Sequence, residues 1–170
     1  MIVHSKDFVT NLDEACIQPN AVDLRIDTVE QISGIVEGAT SRSSIRIFED
    51  GKKEFFPRSL VQRTNGVEML PEFYIGQGPH QVESQHSVTI PQGMVGWLII
   101  RSTFARNGLL LGNGLYDSGY SGMIGGILHN YTGGVVNVER GTRFAQFIMA
   151  KAETAHLYAG HYNQNGGLSN

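Results

Sequence analysis

Apolar residues return at every second position along most of this chain, in runs of about five to eight residues separated by turn formers. In AVDLRID, residues 21–27, Val22, Leu24 and Ile26 alternate with Asp23 and Arg25, so one side of an extended segment is apolar and the other charged. The same reading makes strands of SIRIFE (44–49), VEMLPEFYI (67–75), HSVTI (86–90), MVGWLIIR (94–101), GMIGGILHNY (122–131), GVVNVE (134–139) and RFAQFIMAK (143–151). EDGKKE, TNG, PQG, DSG, TGG and ERG supply the residues that turns need. Helical periodicity is scarce: the pattern predicts one short helix near residues 7–15 and a helical turn in TFAR, ahead of Asn107 and Gly108. Many short strands with regular turns predict an all-β jelly roll or barrel, whose bare edges oligomerisation would cover.

Composition narrows the function classes. A chain of 170 residues suits one domain with a sizeable core. The net charge of -3 gives no basic footprint for nucleic acid. No apolar run approaches the roughly 20 residues of a membrane helix, so no membrane partner is expected. The opening MIVHSKDF lacks the apolar core of a signal peptide. Cys16 is the single cysteine and cannot form an internal disulfide, which fits a reducing, cytoplasmic setting. Residues 1–160 read as the β domain and residues 161–170, polar and glycine-bearing, as a flexible tail.

Three stretches carry candidate chemistry. In WLIIRSTFAR an apolar strand runs into Arg101, Ser102 and Thr103, a hydroxyl-rich turn with Arg106 nearby. Guanidinium forks suit phosphate oxygens, although Ser102 and Thr103 also suit a plain turn cap. In GNGLYDSGYSG, Asp117 lies among apolar and small residues. The glycines let the backbone bend close to a ligand, main-chain groups of a tight hairpin can read a flat base edge, and an aspartate can hold a water as general base. The plain alternative is a hairpin with Asp-Ser-Gly at its tip. In ERGTRFAQ, Arg143 reads either as a phosphate ligand or as a surface arginine. No pair of the six histidines forms a metal-ligand motif, and His129 reads as structural.

Taken in order, IQPNAVDLRI, RSTFAR, GLYDSGYSG, ERGTRFAQ and HYNQNGG resemble the dUTPase and dCTP deaminase superfamily, over residues 17–167. The first two stretches are most similar to the dCTP deaminase branch, and GLYDSGYSG to the third motif of trimeric dUTPases. The resemblance implies a distorted jelly roll, a homotrimer with active sites between subunits, and Mg²⁺ held mainly by a deoxyribonucleoside triphosphate. By motif it makes Asp117 the residue that orients the attacking water. Asn113 and the backbone of Gly114, Leu115 and Tyr116 would line the base pocket, with Tyr120 against the deoxyribose. Arg101, Ser102, Thr103 and Arg106 would grip phosphates, Arg143 and Gln146 would lie near them, Asp23 would support Mg²⁺ or its water shell, and Tyr162 and Gln164 would close over nucleotide.

The branch contains two reactions. The resembling deaminases carry a glutamate on the strand after the glycine turn. Here that position falls on Ile127, and no acid occurs from Ile124 to Val138. An isoleucine cannot shuttle protons. The expectation is therefore a dUTP diphosphatase that releases dUMP and pyrophosphate. The alternatives are a dCTP deaminase or bifunctional enzyme, a diphosphatase for dCTP or a modified pyrimidine nucleotide, and a non-catalytic nucleotide-binding trimer.

Overall fold

The computed structural model describes residues 1–33, 58–60, 62–64 and 69–160. Its strands are β1 (Ile2–Val3), β2 (Val22–Ile32), β3 (Arg58–Leu60), β4 (Gln62–Thr64), β5 (Met69–Ile75), β6 (Gly78–Thr89), β7 (Met94–Ile100), β8 (Leu109–Gly112), β9 (Ser121–Asn130), β10 (Val136–Glu139) and β11 (Arg143–Lys151). One short helix, α1, spans Ser102–Arg106. The predicted strand at 44–49 lies outside the described residues. The predicted helix at 7–15 is absent. In its place are two 3₁₀ turns, Ser5–Asp7 and Glu14–Cys16, the second capped by the Asp13 carboxylate on the Cys16 N–H at 3.0 Å. Asp13, with side chain and backbone competing for the same amide, suits a cap rather than a helix interior.

Among the described residues every strand pairing is antiparallel. The main path runs β1-β11-β2-β6-β9-β8, with β3 on β2 and β7 on β11, and a smaller sheet runs β10-β5-β4. β11 is the hinge of the roll: β7 covers one of its edges from Ala145 to Lys151, while β2 and then β1 share the other. The sheet curls around Leu24, Ile26, Val82, Ile124, Leu128, Phe144, Phe147 and Met149, all without measurable exposure. Each such side chain contributes about 1.5–3 kcal/mol through burial. The fold is all-β, as the alternation predicts, and it is the distorted jelly roll that the resemblance implies.

Gly125 lets β9 press against β6. A Cβ built there would overlap the Val82 carbonyl, so the two strands approach at a spacing only glycine permits. β6 itself reaches well beyond HSVTI, because a register shift between Glu83 and Ser87 breaks its alternation into two halves.

β6 also buries two histidines. The Nδ1 of His80 lies 3.0 Å from the Gly78 carbonyl and that of His86 2.9 Å from the Thr10 carbonyl. A carbonyl only accepts, so each Nδ1 carries the proton of a neutral ring. Burial pushes both rings below the ordinary histidine pKa. The unfolded chain therefore takes up protons first as pH falls. Stability from these rings is complete above about pH 7 and is lost below about pH 6.5, toward the lowered folded values. Urea midpoints measured between about pH 5 and 8 should fall on the acid side of about 6.5, and less steeply in His86→Gln; a flat profile refutes the assignment.

Candidate active site

Alternation places Asp23 and Arg25 on a solvent face, and the structure corrects this for Asp23. Asp23 has 0% exposure. It stands opposite Gln146 across β2 and β11, and the 3₁₀ turn Glu14–Cys16 packs over that end of β2. Gln146 Nε2 donates to Oδ1 at 3.1 Å. Arg143 Nη1 donates to Oδ2 at 3.2 Å and also to the Ala15 carbonyl, and Arg101 Nε lies 3.4 Å from the same Oδ2. Arg101 Nη1 donates to the Arg143 carbonyl at 3.2 Å. Both arginine side chains keep 30% of their surface exposed. The knot thus turns a buried carboxylate inward and two half-exposed guanidiniums outward. Arg25 does form a surface pair, with Asp13 at 2.8 Å.

Arg101 ends β7 and begins α1, as TFAR predicts, with Phe104 buried beneath. Ser102, Thr103 and Arg106 are exposed on this turn. Arg101, Ser102, Thr103, Arg143, Gln146 and Asp23 therefore gather at one end of β7.

Asp117 lies at the other end. It opens a β-turn in which the Tyr120 N–H donates to its carbonyl at 3.0 Å. Gly119 at the third position has φ +88°, the left-handed conformation that turn needs. Ser118 is buried and anchors the turn: its Oγ donates to the Met94 carbonyl at 2.6 Å and meets Thr154 Oγ1 at 2.7 Å. The Asp117 side chain is exposed. It borders a cavity of about 530 Å³ formed with Met94, Leu115, Thr154 and Tyr158. The wall from Ala152 to Gly160 has no periodic pattern and escaped the sequence reading.

The base-reading stretch is only partly free. Asn113, Gly114 and Leu115 are exposed, with Asn113 Nδ2 donating to the Gly114 carbonyl at 2.8 Å. Tyr116 is committed: its N–H and C=O pair with Gly96, each at 2.9 Å, and its hydroxyl donates to the Gly125 carbonyl at 2.7 Å. Burial raises that phenol to about 12. Tyr116 is thus a structural pin, and the expected main-chain reading at this residue is blocked. Tyr120 donates its hydroxyl to the Met123 carbonyl at 2.6 Å, leaving its ring as a wall against Tyr116 and Tyr158. Tyr162 and Gln164 lie outside the described residues.

Tyr116 faces Gly96 near the start of β7, whereas Ser102 follows its end. At about 3.3 Å per residue, the Asp117 and Ser102 turns are roughly 20 Å apart within one chain. A single subunit does not bring the two halves of the predicted site together.

Among the described residues, no three acid, histidine or cysteine side chains converge on a cation position. Both oxygens of Asp23 are engaged by cationic or amide donors. The described residues thus offer no ready-made cage for a metal, and Asp23 presents neither oxygen to solvent. Among the described residues no helix is long and apolar enough to cross a membrane.

Fold and site together define an antiparallel β-roll with a buried carboxylate–guanidinium knot at one end of a strand and an exposed aspartate on a glycine turn at the other. The chain belongs to the dCTP deaminase-like family, whose family model matches residues 2–152. It is 29% identical over 157 residues to a probable deoxyuridine 5'-triphosphate nucleotidohydrolase of Halobacterium salinarum, covering 92% of this chain and 88% of that one. It is 30% identical over 166 residues to a dCTP deaminase of Metallosphaera sedula, covering 95% of this chain and 86% of that one. The crystal structure of 2'-deoxycytidine 5'-triphosphate deaminase from Agrobacterium tumefaciens superposes with a TM-score of 0.58 at 18% identity, over 86% of this chain and 44% of that one. That likeness supports the fold.

Gly119 fixes where the Asp117 turn sits. A Cβ there would lie 3.1 Å from Leu157 Cβ and 3.3 Å from the Tyr158 nitrogen. Gly119→Ala should cost roughly 1–2 kcal/mol from the left-handed backbone alone, read as a lowered denaturant midpoint. An unchanged midpoint contradicts the turn assignment.

Proposed function

We propose that this protein hydrolyses dUTP to dUMP and pyrophosphate. One observation carries the reading: an exposed Asp117 is held on an anchored turn beside a cavity, while the strand beyond it, β9, offers no acid at the ring-deaminating position. Asp117 holds a water and accepts its proton as the water oxygen attacks the α-phosphorus. A new P–O bond forms, the bridging P–O bond to the β-phosphate breaks, and pyrophosphate leaves with the electron pair. Arg101 and Arg143 take up the developing phosphate charge, with Ser102, Thr103 and Arg106 beside them. Asn113, Gly114 and Leu115 border the base, and the Tyr120 ring backs the sugar. Mg²⁺ bound with the substrate would offset the triphosphate's charge, and none of these steps is routed through it.

The roughly 20 Å between the two halves supports a homotrimer in which the Asp117 turn of one subunit meets the Ser102 turn of the next. Relatives named as dUTP nucleotidohydrolases support the chemistry.

A second reading, dCTP deamination, has one observation in its favour besides relatives of that name. Glu83 on β6 faces Gly125 and stands diagonal to Ile127, which faces Gln81. Diagonal neighbours lie about 7–8 Å apart, so a carboxylate from the adjacent strand reaches the region that Ile127 leaves apolar.

Incubation of the purified chain with Mg²⁺ and dUTP or dCTP separates the readings. Pyrophosphate and dUMP from dUTP, with no ammonia from dCTP, supports hydrolysis; ammonia from dCTP supports deamination. Asp117→Asn should lower dUTP turnover by about a thousandfold or more, given the general base's ~10²–10⁴ contribution, while leaving assembly mass unchanged. Retained turnover in that variant removes Asp117 as the base.

A further inference from the structure

We propose that Asp23 is a positioning residue: it holds Arg101 and Arg143 in place for the phosphate chain and does not serve the cation. The inference rests on the hydrolase reading only for the identity of the full substrate.

Its basis is the direction in which each donor of the knot is spent. Arg101 brings Nε to 3.4 Å from Asp23, an ion-pair contact, and donates Nη1 to the Arg143 carbonyl. Its Nη2 has no hydrogen bond among the described residues. Arg143 uses Nη1 on both Asp23 and Ala15. Its Nε and Nη2 are likewise without a hydrogen bond among the described residues. Each guanidinium is therefore gripped on one side and open on the other, and both are 30% exposed. Gln146 completes the carboxylate from below, so Asp23 is fixed on both oxygens. A long arginine loses rotamer freedom when it binds a ligand. The carboxylate restricts both side chains before the ligand arrives. It also cancels one of their two positive charges, leaving a net surplus of one.

Charge and geometry make opposite forecasts for Asp23→Asn. If Asp23 only neutralised charge, its loss would strengthen anion binding. If it supported a cation, binding without metal would be unaffected. If it positions the arginines, binding weakens with or without metal, despite the added positive charge.

Titration calorimetry of inorganic tripolyphosphate against the full chain, in EDTA and in Mg²⁺, distinguishes these cases. We expect Asp23→Asn to lose about tenfold or more in affinity in both buffers. Unchanged or tighter binding in EDTA overturns the proposal, as does a wild-type chain that does not bind tripolyphosphate. Should Asp23→Asn fail to fold, the wild-type protein supplies the test. The Arg143 Nη1–H, assigned by its disappearance in Arg143→Lys, should exchange slowly with water in ¹⁵N spectra recorded in EDTA. Fast exchange at that proton overturns the proposal. The two readings fail separately. Asp23-dependent tripolyphosphate binding without dUTP turnover sinks the hydrolase and spares the positioning role; dUTP turnover with an Asp23→Asn variant that binds normally in EDTA does the reverse.

Discussion

A carboxylate without solvent has to be matched by donors, and most of the site follows from how this chain matches Asp23. An unpaired buried charge costs several kcal/mol, and removing one partner from a buried pair costs about 3–5. Asp23 draws its donors from three separate places: the end of β7, the start of β11 and a facing position within β11. Those strands are neighbours only because β11 takes β7 on one edge and β2 on the other. The roll and the knot therefore specify each other. If the β2 register slipped by one residue, Asp23 would face the other side of the sheet and both arginines would lose their anchor.

Much of the fold was legible because its determinants are local. Period-two alternation locates β2, β7, β9, β10 and β11, and TFAR locates α1. What escaped was tertiary. β6 runs past HSVTI because a register shift interrupts its pattern. β8, Leu109–Gly112, hides in the apolar run GLLLG, which shows no alternation. The helix near 7–15 gives way to turns because Asp13 caps the Cys16 amide. The site was legible in its parts list and not in its wiring. Arg101, Arg143, Gln146 and Asp23 are each visible as residue types, but only the sheet register shows that they meet. Alternation reads Asp23 as exposed because it assumes one face per strand, and here the Glu14–Cys16 turn covers the second face.

The two halves also differ in construction. The knot end is dense, with its key acid wholly buried and each arginine held on one side and open on the other. The Asp117 end is an exposed residue on a turn pinned by Ser118, Gly119 and the Tyr116 hydroxyl. That difference suits the tasks assigned to them. Gripping a multiply charged chain rewards preorganised donors, since fixed dipoles need not reorient when charge develops. Holding a water requires the opposite, a carboxylate whose lone pairs are not already taken.

The apolar Ile127 bears on the chemistry in the same way. It lies between Gly112 on β8 and Gln81 on β6, at the position that the resemblance gives to the deaminases' glutamate. An acid at that position would need a donor or water to offset its burial, and the nearby hydroxyls of Tyr116 and Tyr120 already donate to the carbonyls of Gly125 and Met123. Both tyrosine hydroxyls stitch the backbone of β9. The floor of the hairpin is thus organised as packed structure, and the exposed carboxylate of Asp117 stands on its rim. Glu83 on β6 stands opposite Gly125 and acts electrostatically on the Tyr120 phenol, so a carboxylate of the neighbouring strand borders this floor.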